Sequence, residues 1–107
     1  LQHIMLRRLR RGHYSVGAAI DLHGYNVPQA NVALDQFLTQ ASARHIQCVR
    51  IIHGKGLTAP SGRSILKQKV DLWLRQRHDV LAFCSSRAVD GGTGALYVLL
   101  RATTRKA

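Results

Sequence analysis

The chain contains no glutamate. Five aspartates carry all of its negative charge against 16 lysines and arginines, which leaves +11 with the histidines neutral. That scarcity argues against two-metal phosphodiester chemistry, which needs several carboxylates around ions about 4 Å apart; only Asp21 and Asp90 fall near predicted strand ends. Cysteine is scarce too. Cys48 and Cys84 are too few for a disulfide framework, and their spacing matches no zinc signature. Each sits in an apolar run, so both are read as small buried thiols, and a reducing cytoplasm fits. No apolar run approaches the roughly 18 residues of a membrane helix. No apolar segment of the secretory type follows the N-terminal arginines. Internal repeats and low-complexity tracts are lacking as well. Residue 1 is Leu, not Met, and the chain is therefore read as a fragment of a longer product.

What is present is one domain's worth of sequence, 107 residues with an ordinary 46% of hydrophobic residues. Its positive charge gathers at the ends. Residues 1–20 hold Arg7, Arg8, Arg10 and Arg11 and no acid; residues 101–107 hold Arg101, Arg105 and Lys106 and no acid. Such clusters repel themselves and suit a polyanionic partner, nucleic acid or an acidic membrane. The membrane is the poorer choice, because the basic segment lacks a broad apolar face. Residues 1–17 are predicted to be a basic arm whose short helix has too few apolar residues to pack firmly, residues 18–101 the folded domain, and residues 102–107 a basic tail.

Within 18–101 strands and helices alternate. Ala18–Leu22 is a strand candidate ended by His23–Gly24. Asn26 and Pro28 mark a helix start, and Ala30, Leu34, Phe37, Leu38 and Ala41 line one face of that helix. Cys48–Ile52 is a covered strand running into His53–Gly54–Lys55–Gly56. A second helix puts Ile65, Leu66, Val70, Trp73 and Leu74 on one face. Val80–Cys84 and Ala95–Leu100 complete the order β-α-β-α-β-β. Two strand–helix–strand units imply parallel pairing among the first three strands, and ligands then gather beyond the strands' carboxyl ends. His23 and His53 are thereby expected at one edge of the sheet.

Residues two apart on a strand share a side, so Asp21 can orient His23 for general acid–base work; the bland alternative is a turn cap beside a satisfied histidine. His53–Gly54–Lys55–Gly56 offers backbone N–H groups and one mobile cation to a phosphate, although it is neither a Walker A loop nor a dinucleotide fingerprint and a plain turn competes. Arg63 and Lys67, one turn apart at the start of the second helix, extend a phosphate-binding surface or merely solvate a face. Gly91, Gly92 and Gly94 imply backbone pressed against substrate or against a neighbouring loop, with a flexible hairpin connection as the competing account. Tyr25 is placed to stack on a base or to pack on the sheet. A single Mg2+ or similar divalent ion on Asp21 is the metal these residues leave open; zinc on Asp21, His23 and His53 lacks a paired spacing.

Asp21–Leu22–His23–Gly24, His53–Gly54–Lys55–Gly56 and Gly91–Gly92–Thr93–Gly94–Ala95–Leu96, in that order, resemble the three signature stretches of the Smr (small MutS-related) domain, in its stand-alone bacterial type. The resemblance implies a two-layer α/β sandwich with a four-stranded mixed sheet and two helices, similar to the C-terminal domain of translation initiation factor three. It also implies nucleic-acid binding and, in several members, endonuclease activity, either nicking DNA or cutting messenger RNA at stalled ribosomes. Two functions follow as expectations. One is an endonuclease in which Asp21 orients His23, His53 is the second proton-transfer group, and Lys55 with the loop amides holds the phosphate. The other is a DNA-, RNA- or ribosome-binding module without catalysis.

Overall fold

The structure is a computed structural model that describes residues 2–54 and 65–102. Lys55, Gly56, Arg63 and most of the basic tail lie outside the described residues. The elements run α1 (Gln2–Arg10), β1 (Ala18–Asp21), α2 (Val27–Ala43), β2 (Cys48–Ile52), α3 (Ile65–Gln76), β3 (Val80–Ser85) and β4 (Ala95–Leu100), with two short 3₁₀ turns at Ala88–Asp90 and Gly92–Gly94.

The four strands form one mixed sheet in the order β1-β2-β4-β3. β1 and β2 pair in parallel, with Asp21 opposite Ile52. β4 runs antiparallel to both β2 and β3. β3 therefore runs in the direction of β2 without touching it, which corrects the expectation of parallel pairing among the first three strands. The reason lies in β4 itself. All six of its residues are buried, which only a central strand covered on both faces can satisfy.

Alternation along the strands sorts two cores. Val49, Ile51, Leu96, Val98 and Leu100 point to α2 and α3, where Leu34, Leu38, Val70 and Leu74 meet them. Cys48, Tyr97 and Leu99 point the other way, onto Leu9 of α1, with Met5, Leu6 and Tyr14 packed around it. Leu9 is only 1% exposed. The basic arm is thus a docked third helix over β3 and β4, and the two-helix, two-layer expectation is corrected to three helices on two faces. One fully buried leucine contributes about 1.5–3 kcal/mol, enough to anchor a short helix that its scattered apolar residues do not advertise. Both cysteines are buried and free, and burial pushes the Cys48 thiol up to about 11.

Local signals position α2. Asn26 accepts from the Gln29 amide at 2.9 Å and its own amide donates to Gln29 Oε1 at 3.2 Å, a reciprocal capping box. At the other end His45 takes the left-handed conformation, φ 60°, and the Ile46 amide reaches back to Ala41 O at 2.9 Å, a Schellman stop. Arg77 then ties α2 to the α3–β3 turn. It donates to Asp35 at 2.7 Å and, through two nitrogens, to Asp79 at 2.9 Å each.

Candidate active site at the sheet edge

The first three strands end at the same edge of the sheet, and backbone hydrogen bonds stitch their loops together. The Leu22 amide donates to Ile52 O at 2.7 Å; the His53 and Gly54 amides both donate to Gly94 O, at 3.1 and 2.9 Å. The three motifs are therefore neighbours in space, in the order Asp21–Gly24, His53–Gly54, Gly91–Gly94.

Asp21 alternates away from the α2–α3 core, on the face of β1 that no described helix covers. The chain turns immediately after it. Gly24 holds φ +84°, a conformation that resists a β-carbon, and the turn folds His23 back onto Asp21. His23 Nδ1 lies 2.5 Å from Asp21 Oδ1, which also accepts the His23 backbone amide at 3.0 Å. These hydrogen bonds, the side-chain one foremost, hold the Asp21 carboxyl below the usual aspartate range. With Nδ1 engaged, the ring presents Nε2 outward from a side chain 68% exposed. That is the geometry of an oriented general base or acid.

His53 sits differently. It is 2% exposed, and its Nδ1 contacts the neighbouring Gly54 carbonyl at 2.8 Å. Its Nε2 is buried with no hydrogen-bond partner among the described residues. Burial pulls its pKa down, with Lys67 of α3 pushing the same way. The strand ends meet at one edge as expected, but His53, expected as a second proton-transfer group, is sealed from solvent. Residue 53 follows the alternation of Ile51 into the helix side of the sheet. Lys67 accompanies it there, half-buried.

The glycine stretch is braced from beneath by a polar cluster that sequence reading missed. Tyr97, at the centre of β4, donates to Asp90 Oδ2. Arg87 donates to the same hydroxyl at 3.2 Å and to Asp90 Oδ2 at 3.4 Å. Arg50 of β2 donates to Asp90 O at 2.9 Å, and Ser86 Oγ lies 3.1 Å from Asp90 O and 3.2 Å from Gly92 O. Gly91, at φ +117°, is pressed so close to Ala95 that a β-carbon would sit 2.9 Å from that methyl. Gly91 thus presses on the start of β4, whereas Gly92 has open space where a β-carbon would sit. Arg50 had a readable trace, a charge in an otherwise apolar covered strand. Tyr25 stands exposed just beyond the dyad.

Arg7, Arg8, Arg10 and Arg11 are all exposed, the first three on α1 and the last just past its end. No group of three His, Cys, Asp or Glu side chains is placed to hold a metal among the described residues. Asp21 is a lone carboxylate with one oxygen already engaged, and hard divalent ions take several oxygen ligands; the described donor set does not build a site there.

The Smr domain family model matches residues 20–101. Over 100 residues the chain is 38% identical to a protein of Yersinia enterocolitica named ribosome rescue factor SmrB, covering 94% of this chain and 53% of that one. The chain thus spans about half the length of the curated relatives it matches. Among solved structures it resembles YdaL, a stand-alone small MutS-related protein from Escherichia coli, with 39% identity and a TM-score of 0.81 over 94% of this chain and 77% of that one. It also resembles the Smr domain of Thermus thermophilus MutS2, with 32% identity and a TM-score of 0.70 over 78% of this chain and 98% of that domain. With its three motifs stitched along one sheet edge and the family model spanning nearly the whole folded domain, the chain belongs to the Smr domain family.

Proposed function

We propose that this domain binds RNA in a ribosomal setting, with α1 as its basic grip. The carrying observation is that α1 is docked, not loose: Leu9 is fixed in the second core while Arg7, Arg8 and Arg10 project into solvent. A rigidly mounted arginine face binds phosphates without the ordering cost of a disordered arm. The relatives named ribosome rescue factor support the choice of partner. The test is binding to purified ribosomes and to single-stranded RNA across a salt series. Neutralising Arg7, Arg8 and Arg11 together to glutamine is expected to flatten the slope of log K against log salt, on single strands by about 0.7 for each phosphate left without its arginine. An unchanged slope removes the reading.

A second reading is favoured by the dyad. His23, oriented by Asp21, takes the proton of an attacking hydroxyl, and the attacking oxygen bonds to phosphorus as the bond to the leaving oxygen breaks. On RNA the 2′-hydroxyl is the nucleophile, and the products are a cyclic phosphate and a 5′-hydroxyl whose proton comes from solvent. On DNA the nucleophile is water. His53, sealed from solvent, is assigned to holding the second motif in place; Lys55, with the amides of residues 54–56, is assigned to the phosphate, as are Arg63 and Lys67. Matched DNA and RNA substrates, with and without chelator and with product ends identified, decide between binding alone and binding with cleavage.

A further inference from the structure

The two lateral edges of the sheet are unlike. β1 is four residues long and ends on Asp21, a short and charged edge of the kind that discourages further pairing. β3 is six residues, Val80–Ser85, and carries neither a charge nor a proline. It pairs with β4 on one side, and among the described residues no strand lies beyond it. A register shift between Val80 and Ala82 marks a bulge, after which Ala82–Ser85 runs in clean register. Such an edge is a hazard unless something covers it or selects what may pair with it.

Here the edge lies in a groove of about 690 Å³ whose walls come from both faces of the sheet. Leu6 and Arg10 of α1 form one wall, Leu74 and Arg75 of α3 the other, and Leu81 and Phe83 lie on the strand between them. The guanidinium of Arg75 sits over the Phe83 ring, 5.4 Å from its centroid, and shares its charge with Asp71 at 3.1 Å. Apolar footing, an open backbone edge and cationic walls are together the elements of strand addition by an acidic segment, in which main-chain hydrogen bonds give affinity and alternate side chains give selection. The same cations disfavour a second copy of this edge, because two grooves face to face would bring like charges together.

We infer that the β3 edge is a docking slot for an extended, acidic peptide segment of a partner protein, which joins the sheet as a fifth strand between α1 and α3. The slot is at the opposite side of the sheet from the Asp21–His23 dyad, three strand spacings away or about 14 Å. It stands whether or not the domain cleaves RNA.

The test is an amide-resolved NMR titration of the whole chain with short synthetic peptides. A peptide alternating glutamate and valine is expected to move amides of β3 and of the facing turns of α1 and α3. Its lysine–valine counterpart and a version N-methylated at alternate residues are expected to leave them still. Arg75→Glu should weaken the acidic peptide about tenfold, and because the peptide series is run on the unaltered chain, the result does not depend on that variant folding. The inference is overturned if no β3 amide moves at millimolar peptide, or if the lysine or N-methylated peptide binds equally well. It is likewise overturned if a short RNA moves the same amides more tightly than the acidic peptide, or if raising the protein concentration alone moves them, which would make the edge a self-association surface.

Discussion

His23 Nδ1 lies 2.5 Å from Asp21 Oδ1 while both side chains stand in solvent, 68% and 48% exposed. A contact so exposed is worth little to stability, so the pair can be broken without unfolding the domain. In the cleavage reading His23→Ala is expected to lower the rate at least 100-fold, the low end for loss of a general base. Binding should stay within about tenfold, and unfolding free energy within about 0.5 kcal/mol. Cleavage by the variant at the rate of the parent rules the dyad out.

Leu9→Ala separates a docked helix from a loose arm. Truncating a buried leucine in a packed core costs about 2–5 kcal/mol, and Leu9 touches Tyr97 and Leu99 through the second core. Urea unfolding should show that loss, together with weakened RNA binding as the arginine face comes free. A change below about 0.5 kcal/mol would mean that α1 does not dock.

Tyr97→Phe removes the hydroxyl that joins Asp90 to Arg87 beneath the glycine stretch. Its loss should loosen this loop more than the rest of the fold. Hydrogen exchange should quicken at the amides of residues 91–94, while the distant contact of Arg77 with Asp79 keeps its protection. Uniform destabilisation with no local change would assign Tyr97 to packing alone.

The buried imidazole gives a pH signature. Burial lowers the His53 pKa below its ordinary 6.5, so between the folded value and 6.5 the unfolded chain binds more protons and stability rises with pH. The native state should hold full stability above 6.5 and lose it as pH falls below that value toward the lowered one. His53→Gln is expected to flatten that limb in urea titrations. Asp79 acts lower down. Its pKa is depressed below 3.8, chiefly by the hydrogen bond from Arg77, so its contribution is present above 3.8 and lost as pH falls from there to the depressed value. Asp79→Asn should shrink that acid limb, to which Asp21 also contributes, and leave the one near neutrality.

Much of the architecture was legible because local rules and burial agree. Ala30, Leu34, Leu38 and Ala41 fall on one stripe and all four are buried; Cys48–Ile52 is the strand its β-branched run announced. Asp21 and His23 were legible as a pair because they are close in sequence, although a turn after β1, not the strand's period of two, brings them together. What escaped was long-range. Leu9 lies among arginines, and only the packing of β4 reveals that it has a partner. The insertion of β4 between β2 and β3 has no local signature beyond apolar residues in both phases of the strand. His53 was misjudged because the strand's alternation carries on past Ile52 and sends its ring inward, on the side of Ile51.

The strand made last occupies the middle of the sheet, between partners made before it. Until Leu100 has left the synthesising ribosome, β2 and β3 have no common neighbour and their apolar edges stand open. Completion of the sheet therefore waits for β4, and a chain stopped short of it keeps only the β1–β2 pair, with β3 left without a neighbour.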